Sequence, residues 1–185
     1  MKEESRKVIR SDLVETNVVV FSHEDARQLF SSGFYGKPLG VPKPRGADFE
    51  APLVLDIIEA CYLSEKRLLE VYRGDTHVRD EELFTIGEKV SGRFRELYAV
   101  YRDLRERGFI VTPGLKFGSD FAVYKYGPGI DHAPFIVQVK GMGEEVSATE
   151  LVRAGRLATT VRKNFIIAVP EEGRVRYLLF SWTKI

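Results

Sequence analysis

The sequence contains little of what several protein classes require. It has one cysteine, Cys61, in 185 residues, which is too few for an internal disulfide or a cysteine-rich zinc site. Lysine and arginine total 28, aspartate and glutamate total 27, and the net charge is +1. A uniformly basic nucleic-acid coat is therefore excluded, and any nucleic-acid site must come from local clustering. No apolar run approaches the ~18 residues of a membrane span, and the start lacks the apolar core of a signal peptide. We expect a cytoplasmic protein with no membrane association.

The first half of the chain predicts a small domain that combines strand and helix. The apolar run Val18–Phe21 predicts a strand, and Ser22 is a suitable N-cap for the helix that follows. Residues 36–50 are rich in proline and glycine, which predicts a loop. The helices expected in this half span 24–31, 53–71 (as one helix or two) and 81–101. A domain boundary is expected near 87–92, so the predicted domains are 1–90 and 91–185.

The second half predicts a mixed sheet that a helix crosses. Ser147 and Glu150 have the spacing of a capping box, so a helix should begin at Ser147. Its expected apolar face consists of Leu151, Ala154, Ala158 and Val161. The strands expected in this half span 109–111, 120–126, 134–139, 165–169 and 175–182. Strands on both sides of a helix are typical of an α/β domain.

Three side chains of the second half suit one reaction. Tyr124 ends a predicted strand, His132 follows a Gly-Pro-Gly loop, and Lys163 lies where the helix meets the next strand. Attack of a ribose 2′-hydroxyl on its own phosphate needs a base, an acid and a cation. His132 could be the acid and Lys163 the cation. Tyr124 could be the base if a nearby cation lowers its pKa, since tyrosine has a reference pKa of ~10. Other roles remain open for all three residues: a surface position for His132, packing for Tyr124 and an interaction with the helix dipole for Lys163.

A second group of residues predicts a different chemistry. Asp120, followed by Gln138 and Lys140, resembles the pattern of metal-dependent nucleases, in which two carboxylates hold a divalent cation. Here a glutamine replaces the second carboxylate, and its neutral amide oxygen is a poorer ligand for a hard cation. A structural role for Asp120 stays open beside this alternative.

The second half also resembles a known family. The stretch 115–124, followed by His132, is similar to the catalytic region of tRNA-splicing (tRNA-intron) endonucleases, and so are 153–156 and 161–169. The resemblance is strong over 100–182 and looser over the first half, and the archaeal form fits the length best. It implies a fold of α+β type, with a small N-terminal α/β domain and a restriction-endonuclease-like catalytic domain that contains a mixed sheet.

The resemblance also implies an activity. Tyr124 would be the general base, His132 the general acid and Lys163 the stabiliser of the transition state. The substrate would be precursor tRNA, cut at the bulge-helix-bulge of each intron–exon junction. The products would carry 2′,3′-cyclic phosphate and 5′-hydroxyl ends, and neither a metal nor a cofactor would be needed. The three residues also argue against a non-catalytic RNA-binding subunit, which is the alternative within the same assembly.

RNA contacts follow from the same resemblance. Arg156 would clamp a flipped base, because a guanidinium can stack on a base face. A second clamp is expected near the C-terminus, where Lys184 is the nearest match. Lys43 and Arg45 of the loop 36–50 are candidates for phosphate contacts. Arg174 and Arg176 are further candidates for the second clamp.

The resemblance finally implies an assembly. Glu171 and Glu172 lie where the family has an acidic loop that docks on a neighbouring subunit. The predicted strand 175–182 would pair across a dimer. Because the chain has all three catalytic residues, it is expected to be the catalytic subunit. Its partner would be a homologous structural subunit in an (αβ)2 heterotetramer, or else four copies would form a homotetramer.

Overall fold

The protein divides into two compact units, the first ending at Phe94 and the second beginning at Arg95. The structure is a computed structural model. It describes residues 7–42, 44, 46–130, 135–160 and 164–180, without the side chains of 157–160. Within the described residues, no helix combines the length and apolar character needed to cross a bilayer.

The first unit is a six-stranded sheet with three helices. The sheet has the order β3-β4-β2-β1-β5-β6. Its strands are β1 (Ile9–Val14), β2 (Asn17–Val20), β3 (Lys37–Pro38), β4 (Leu53–Leu55), β5 (Leu69–Arg73) and β6 (Thr76–Val78). Its helices are α1 (His23–Gly33), α2 (Ile57–Glu65) and α3 (Asp80–Val90). The expected strand and helix around Ser22 are confirmed, and Ser22 Oγ accepts from the backbone N–H of Asp25 at 3.3 Å.

The prediction of helix throughout 53–71 was wrong at both ends. Leu53–Leu55 and Leu69–Arg73 are strands, and only Ile57–Glu65 between them is helical. Asp56 explains where α2 begins, because its side chain accepts from the Ile58 N–H while Glu59 accepts from the Asp56 N–H. This reciprocal capping box places Leu53–Leu55 outside the helix.

Glu59 also fixes the start of the segment 36–50, which was predicted as a loop but begins with the short strand β3, since Lys37 and Pro38 pair with Val54 and Leu53. It is 7% exposed, and its second carboxylate oxygen accepts from the Gly36 N–H at 3.0 Å. Gly36 has a φ of +70°, and a Cβ there would meet Leu53 and Leu55 at 2.9 and 2.8 Å. Glycine is therefore required at this position by both conformation and space.

The predicted helix 81–101 is two helices. α3 ends at Val90, and α4 (Phe94–Glu106) begins after a break of three residues. The Phe94 ring packs against Gly87 so closely that a Cβ at Gly87 would overlap it. Phe94 also meets the Phe84 ring edge to face at 5.3 Å. The break between α3 and α4 therefore lies beside the close contact between the Phe94 ring and Gly87.

The second unit is a five-stranded sheet with α4 and one further helix. The sheet has the order β11-β10-β9-β8-β7. Its strands are β7 (Ile110–Pro113), β8 (Phe121–Tyr124), β9 (Phe135–Val139), β10 (Asn164–Glu171) and β11 (Arg174–Phe180). A 3₁₀ turn spans Leu115–Phe117, and helix α5 (Ala148–Thr160) joins β9 to β10. β9 and β10 are parallel, and the other neighbours are antiparallel. The expected mixed sheet is confirmed.

Helix α5 begins as predicted, but its apolar face differs. The Glu150 N–H donates to Ser147 Oγ at 3.2 Å, and Glu150 Oε2 accepts from the Ser147 N–H at 2.9 Å. Ala154 is 2% exposed and packs in the core with Ala122, Ile136, Phe165 and Ile167. Leu151, however, is 47% exposed, so its predicted place on the buried face was wrong. Neither the Ala158 side chain nor Val161 belongs to the described part of the chain.

A hydrogen bond links α4 to the last strand. Tyr177 Oη donates to Asp103 Oδ2 at 2.6 Å, and Arg107 pairs with the same carboxylate at 2.7 Å. Burial, followed by this hydrogen bond, raises the pKa of Tyr177 well above its usual range. The hydroxyl therefore remains a donor throughout neutral and mildly alkaline pH.

Candidate active site

Three strands of the second unit bring their ends together at one end of the sheet. β8 finishes there with Tyr124, and Val123 of the same strand lies opposite Phe135, the first residue of β9. β10 begins beside it, because Asn164 pairs with Phe135 in parallel register. We call this end, defined by Tyr124, Phe135 and Asn164, the convergent end.

Tyr124 is held at the convergent end by the hydrophobic core. Its side chain is half-buried and packs against the cluster that contains Ala122 and Ala154. Ala122 lies two residues earlier on the same face of β8, as the period of a strand requires. Ala154 belongs to α5, so the helix and the sheet together fix the position of the tyrosine ring.

Five of the other predicted site residues belong to parts of the chain that the structure does not describe. His132, Lys163, Lys43, Arg45 and Lys184 lie outside the described residues. In the sequence, His132 is three residues before Phe135 and Lys163 directly precedes Asn164. Phe135 and Asn164 themselves are the first residues of β9 and β10 at the convergent end.

The nuclease-like group Asp120, Gln138 and Lys140 forms a hydrogen-bonded structure. Asp120 Oδ2 accepts from Gln138 Nε2 at 2.7 Å and from the Val139 N–H at 2.7 Å. Gln138 Oε1 accepts from Arg153 at 3.3 Å. Since arginine can only donate and a carboxylate can only accept, this orientation of the amide is fixed. The amide nitrogen, and not its oxygen, faces Asp120, which is the wrong polarity for two ligands of one cation.

Lys140 interacts with residues at the start of α5. It pairs with Glu150 Oε1 at 2.8 Å and donates to the Glu145 carbonyl oxygen at 3.3 Å. The hydrogen bond from Lys140, with that from the Ser147 N–H, lowers the pKa of Glu150 to about 2. Lys140 thus stabilises the first turn of α5. Within the ranges that the structure describes, no three His, Cys, Asp or Glu side chains are grouped as a metal site.

Arg153 has a structural role that the sequence analysis, which cited 153–156 only for the family resemblance, did not assign to it. Its Nη1 donates to the Gly118 carbonyl oxygen at 2.7 Å and its Nη2 to Gln138. It therefore connects α5 to the turn before β8 and to β9. The available signal was its place in the acid-free basic stretch 151–170, but charge alone does not distinguish a structural arginine from one that binds RNA.

The remaining candidates lie on the surface of the second unit. Arg156 is exposed on α5, two residues beyond the buried Ala154. Glu171 is 11% exposed and accepts from Arg174 at 3.0 Å and from Arg176 at 2.7 Å. Glu172 is exposed in the turn between β10 and β11. The two arginines that were alternatives for a base clamp are therefore both paired with Glu171.

Comparison with known proteins covers nearly all of the chain. Residues 9–84 match the family model of the tRNA intron endonuclease N-terminal domain, and residues 94–177 match that of its catalytic C-terminal domain. A tRNA-splicing endonuclease of Hyperthermus butylicus is 51% identical over 96% of this chain and 99% of its own length. Those of Saccharolobus solfataricus and Sulfurisphaera tokodaii are 41% and 40% identical, over 96% and 94% of this chain and 100% and 98% of their own.

Proposed function

The chain belongs to the tRNA-splicing endonuclease family and is a tRNA intron endonuclease, and from this premise we propose how it cleaves. It cuts precursor tRNA at bulge-helix-bulge junctions without a metal ion. It leaves 2′,3′-cyclic phosphate and 5′-hydroxyl ends. Tyr124, His132 and Lys163 carry the reaction.

The convergent end is the observation that carries this proposal. Tyr124, Phe135 and Asn164 end or begin neighbouring strands there, and neighbouring strands lie about 4.8 Å apart. His132 is three residues from Phe135, a chain distance of at most about 11 Å. The Cα of Lys163 is about 3.8 Å from that of Asn164. The three functional groups can therefore meet around one phosphate.

The proposed step balances without a further reactant. Tyr124, acting as its phenolate, removes the proton of the ribose 2′-hydroxyl, and the 2′-oxygen forms a bond to phosphorus. The bond from phosphorus to the 5′-oxygen breaks, and the His132 imidazolium gives its proton to that oxygen. Lys163 stabilises the negative charge that develops on the phosphoryl oxygens.

Substrate binding is assigned to cations of both units. Arg156 is an exposed residue of α5, the helix whose Ala154 belongs to the core cluster that Tyr124 packs against, and an arginine can stack on a bulged base. Lys43 and Arg45 contribute phosphate contacts from the loop 36–50. Lys184 is the second base clamp, a role for which Arg174 and Arg176 are less suited because both pair with Glu171.

Assembly is proposed to use the last two strands. β11 is an edge strand, and Leu178 and Leu179, adjacent residues on opposite faces, are 50% and 58% exposed. An exposed apolar edge favours pairing with another chain. Glu171 and Glu172 belong to the docking turn, in which Glu172 provides the exposed carboxylate. The active form is an (αβ)2 heterotetramer with a homologous structural subunit, or else a homotetramer, built from domains 1–90 and 91–185.

The deciding experiment is cleavage of an intron-containing precursor tRNA in EDTA, with analysis of the product ends. We expect cyclic phosphate and 5′-hydroxyl termini. His132→Ala should slow cleavage about 10²-fold or more with nearly unchanged RNA binding, because only the proton donor is lost. His23→Ala is the matched control, since His23 is an exposed residue of α1. Cleavage that requires magnesium, or equal rates for His132→Ala and wild type, would refute the mechanism. If the chain alone is inactive, the assay is repeated with a structural subunit.

A further inference from the structure

The sheet of the first unit has a buried face and an open face. Side chains of successive strand residues point to opposite faces, and Val18, Leu55 and Val71 on one side are completely buried. On the other side, Arg10 and His77 are exposed. We call this second side the open face. The proposed reaction gives it no role.

Phe21 presents an aromatic ring on the open face. Val19 belongs to that face, because it pairs with Asp12, two residues from Arg10. Phe21 is two residues beyond Val19, and the chain is still extended at Ser22 (φ −64°, ψ 117°), so the period of the strand places Phe21 on the same side. It is 57% exposed, and among the described residues its ring forms no aromatic pair. The ring therefore has surface on which a base can stack.

A leucine extends this apolar surface. Val20 and Pro38 share Leu53 as their strand partner, so the next residues, Phe21 and Leu39, lie at the same end of the sheet on either side of β4. Leu39 is 61% exposed. The proline- and glycine-rich loop leaves the sheet at this point, and the exposed apolar surface is therefore continuous with that loop.

Arg10 provides a positioned cation on one side of Phe21. Its guanidinium carbon lies 4.1 Å from the centroid of the Tyr72 ring, and its Nη2 donates to the Gly74 carbonyl oxygen at 3.4 Å. A guanidinium has five N–H donors, so most of them remain for a ligand. Tyr72 belongs to β5, two strands from β2, so this cation lies about 10 Å from the strand of Phe21.

Lys37 provides a second cation on the other side. It is an exposed residue of the edge strand β3, which is also two strands from β2. Within the part of the chain that the structure describes, neither Arg10 nor Lys37 has an ion-pair partner. An exposed ring between two unpaired cations suits a nucleotide chain, in which phosphates alternate with bases.

Two carboxylates moderate the charge of the open face. Glu70 accepts from the Tyr72 hydroxyl at 3.1 Å, and Asp12 is half-buried between Val19 and Tyr72. These two charges offset those of Arg10 and Lys37. Affinity for RNA must therefore depend on stacking at Phe21 as well as on the cations.

We propose that the open face binds an unpaired segment of the RNA substrate, with one base on Phe21 and the flanking phosphates at Arg10 and Lys37. The proposal rests on the proposed function, because the segment belongs to the precursor tRNA. RNA is favoured over a protein partner because the face carries unpaired cations and continues into the loop with the proposed phosphate contacts. Stacking on aromatic side chains combined with cations for the backbone is a general mode of binding single-stranded RNA.

The first test measures binding of precursor tRNA at several salt concentrations. The RNA has 2′-deoxyribose at both junctions, so it lacks the attacking hydroxyl and remains intact. Phe21→Leu should weaken binding about 5- to 10-fold without changing the salt dependence, and Phe21→Trp should preserve it, because leucine is apolar but cannot stack. Val90→Ala, at a 51% exposed position of α3, is the control. Wild-type affinity of Phe21→Leu would overturn the proposal.

The cations are tested in the same assay. Lys37→Gln and Arg10→Gln should each reduce the slope of log affinity against log salt by about one. Lys89→Gln, a change of an exposed lysine of α3, should leave the slope unchanged. If neither Lys37→Gln nor Arg10→Gln changes the slope, the phosphates do not lie on this face and the proposal fails.

A fluorescence measurement identifies the occupant. The chain has one tryptophan, Trp182, so wild type supplies the background for Phe21→Trp. Single-stranded oligoadenylate should quench the added fluorescence saturably, and the same strand in a duplex with oligouridylate should not. Equal quenching by both, or none, would overturn the assignment to unpaired RNA. A smaller assembly mass for Phe21→Leu would indicate a contact between subunits and would also overturn it.

These readouts separate the open face from the catalytic proposal. Binding is measured with an RNA that cannot form the cyclic phosphate. A protein that binds as described but does not cut the all-ribose substrate in EDTA refutes the mechanism alone. A protein that cuts as proposed but binds equally well with Phe21→Leu refutes the open-face site alone.

Discussion

Replacing Glu150 by glutamine tests how the first turn of α5 is held in place. The carboxylate accepts from Ser147 and pairs with Lys140 at 2.8 Å, and these contacts lower its pKa from 4.5 to about 2. A pKa difference of this size corresponds to about 3.4 kcal/mol of stabilisation of the charged carboxylate in the folded state. The two side chains are 19% and 17% exposed, so solvent screening reduces the contribution to about 1–2 kcal/mol.

The pH dependence of this contribution has a definite sign. Glu150 has the lower pKa in the folded state, so the unfolded chain takes up the proton first as the pH falls. The stabilisation is complete above about pH 5.5 and is lost as the pH falls from about 4.5 to about 2. Glu150→Gln keeps the capping box, because glutamine is also accepted at this position, but it lacks the charge that Lys140 meets.

The measurement is urea unfolding of both proteins at equal concentration. Urea is preferred because guanidinium salts screen ion pairs. We expect Glu150→Gln to lower the free energy of unfolding by about 1–2 kcal/mol at pH 7 and by little at pH 2.5. Glu145→Gln, a change of an exposed neighbour, should show neither effect. A loss that is the same at both pH values, or no loss at pH 7, would refute the reasoning.

Three further outcomes are expected. Arg153→Met should lower the free energy of unfolding by about 1–2 kcal/mol, because it removes hydrogen bonds to Gly118 and Gln138; an unchanged urea midpoint would contradict this. Tyr177→Phe should lower the free energy of unfolding by about 1–2 kcal/mol at pH 7, because the hydrogen bond to Asp103 is lost. The wild-type protein should lose stability above about pH 10, where only the unfolded tyrosine ionises, and Tyr177→Phe should lose less. Lys43→Ala combined with Arg45→Ala should weaken RNA binding and flatten its salt dependence, and an unchanged salt slope would remove the loop from the interface.

The parts of the fold that the sequence predicts are those with local chemical signals. Ser22 and the pair Ser147 and Glu150 set helix starts through side-chain hydrogen bonds within four residues, so they can be recognised without the fold. Leu53–Leu55 was missed because three apolar residues fit either period. Asp56 was the usable signal there, since its capping box fixes the start of α2.

Other features depend on the tertiary structure. Ile9–Val14 pairs in parallel with Leu69–Arg73, a contact across some 60 residues that no local pattern encodes. The turn between α2 and β5 needs a positive φ of 57° at Arg67, a residue type that gives no hint of it.

The candidate site also combines features that the sequence predicts with features that depend on the tertiary structure. The residue types of Tyr124, His132 and Lys163 suggest the chemistry, and their spacing cannot bring them together. What the registers of three strands place together is Tyr124, Phe135 and Asn164 at the convergent end, an arrangement that no local pattern encodes. The structural role of Arg153 was missed because it depends on where Gly118 and Gln138 lie in space.

The contact between Gly87 and Phe94 has a consequence for how the family can diverge. No side chain fits at position 87 while a phenylalanine ring occupies position 94. Two mutations would be needed to leave this arrangement, and the order matters, because position 94 must become smaller first. Relatives with a larger residue at 87 should therefore carry a smaller one at 94, and the two positions should covary across a set of family sequences.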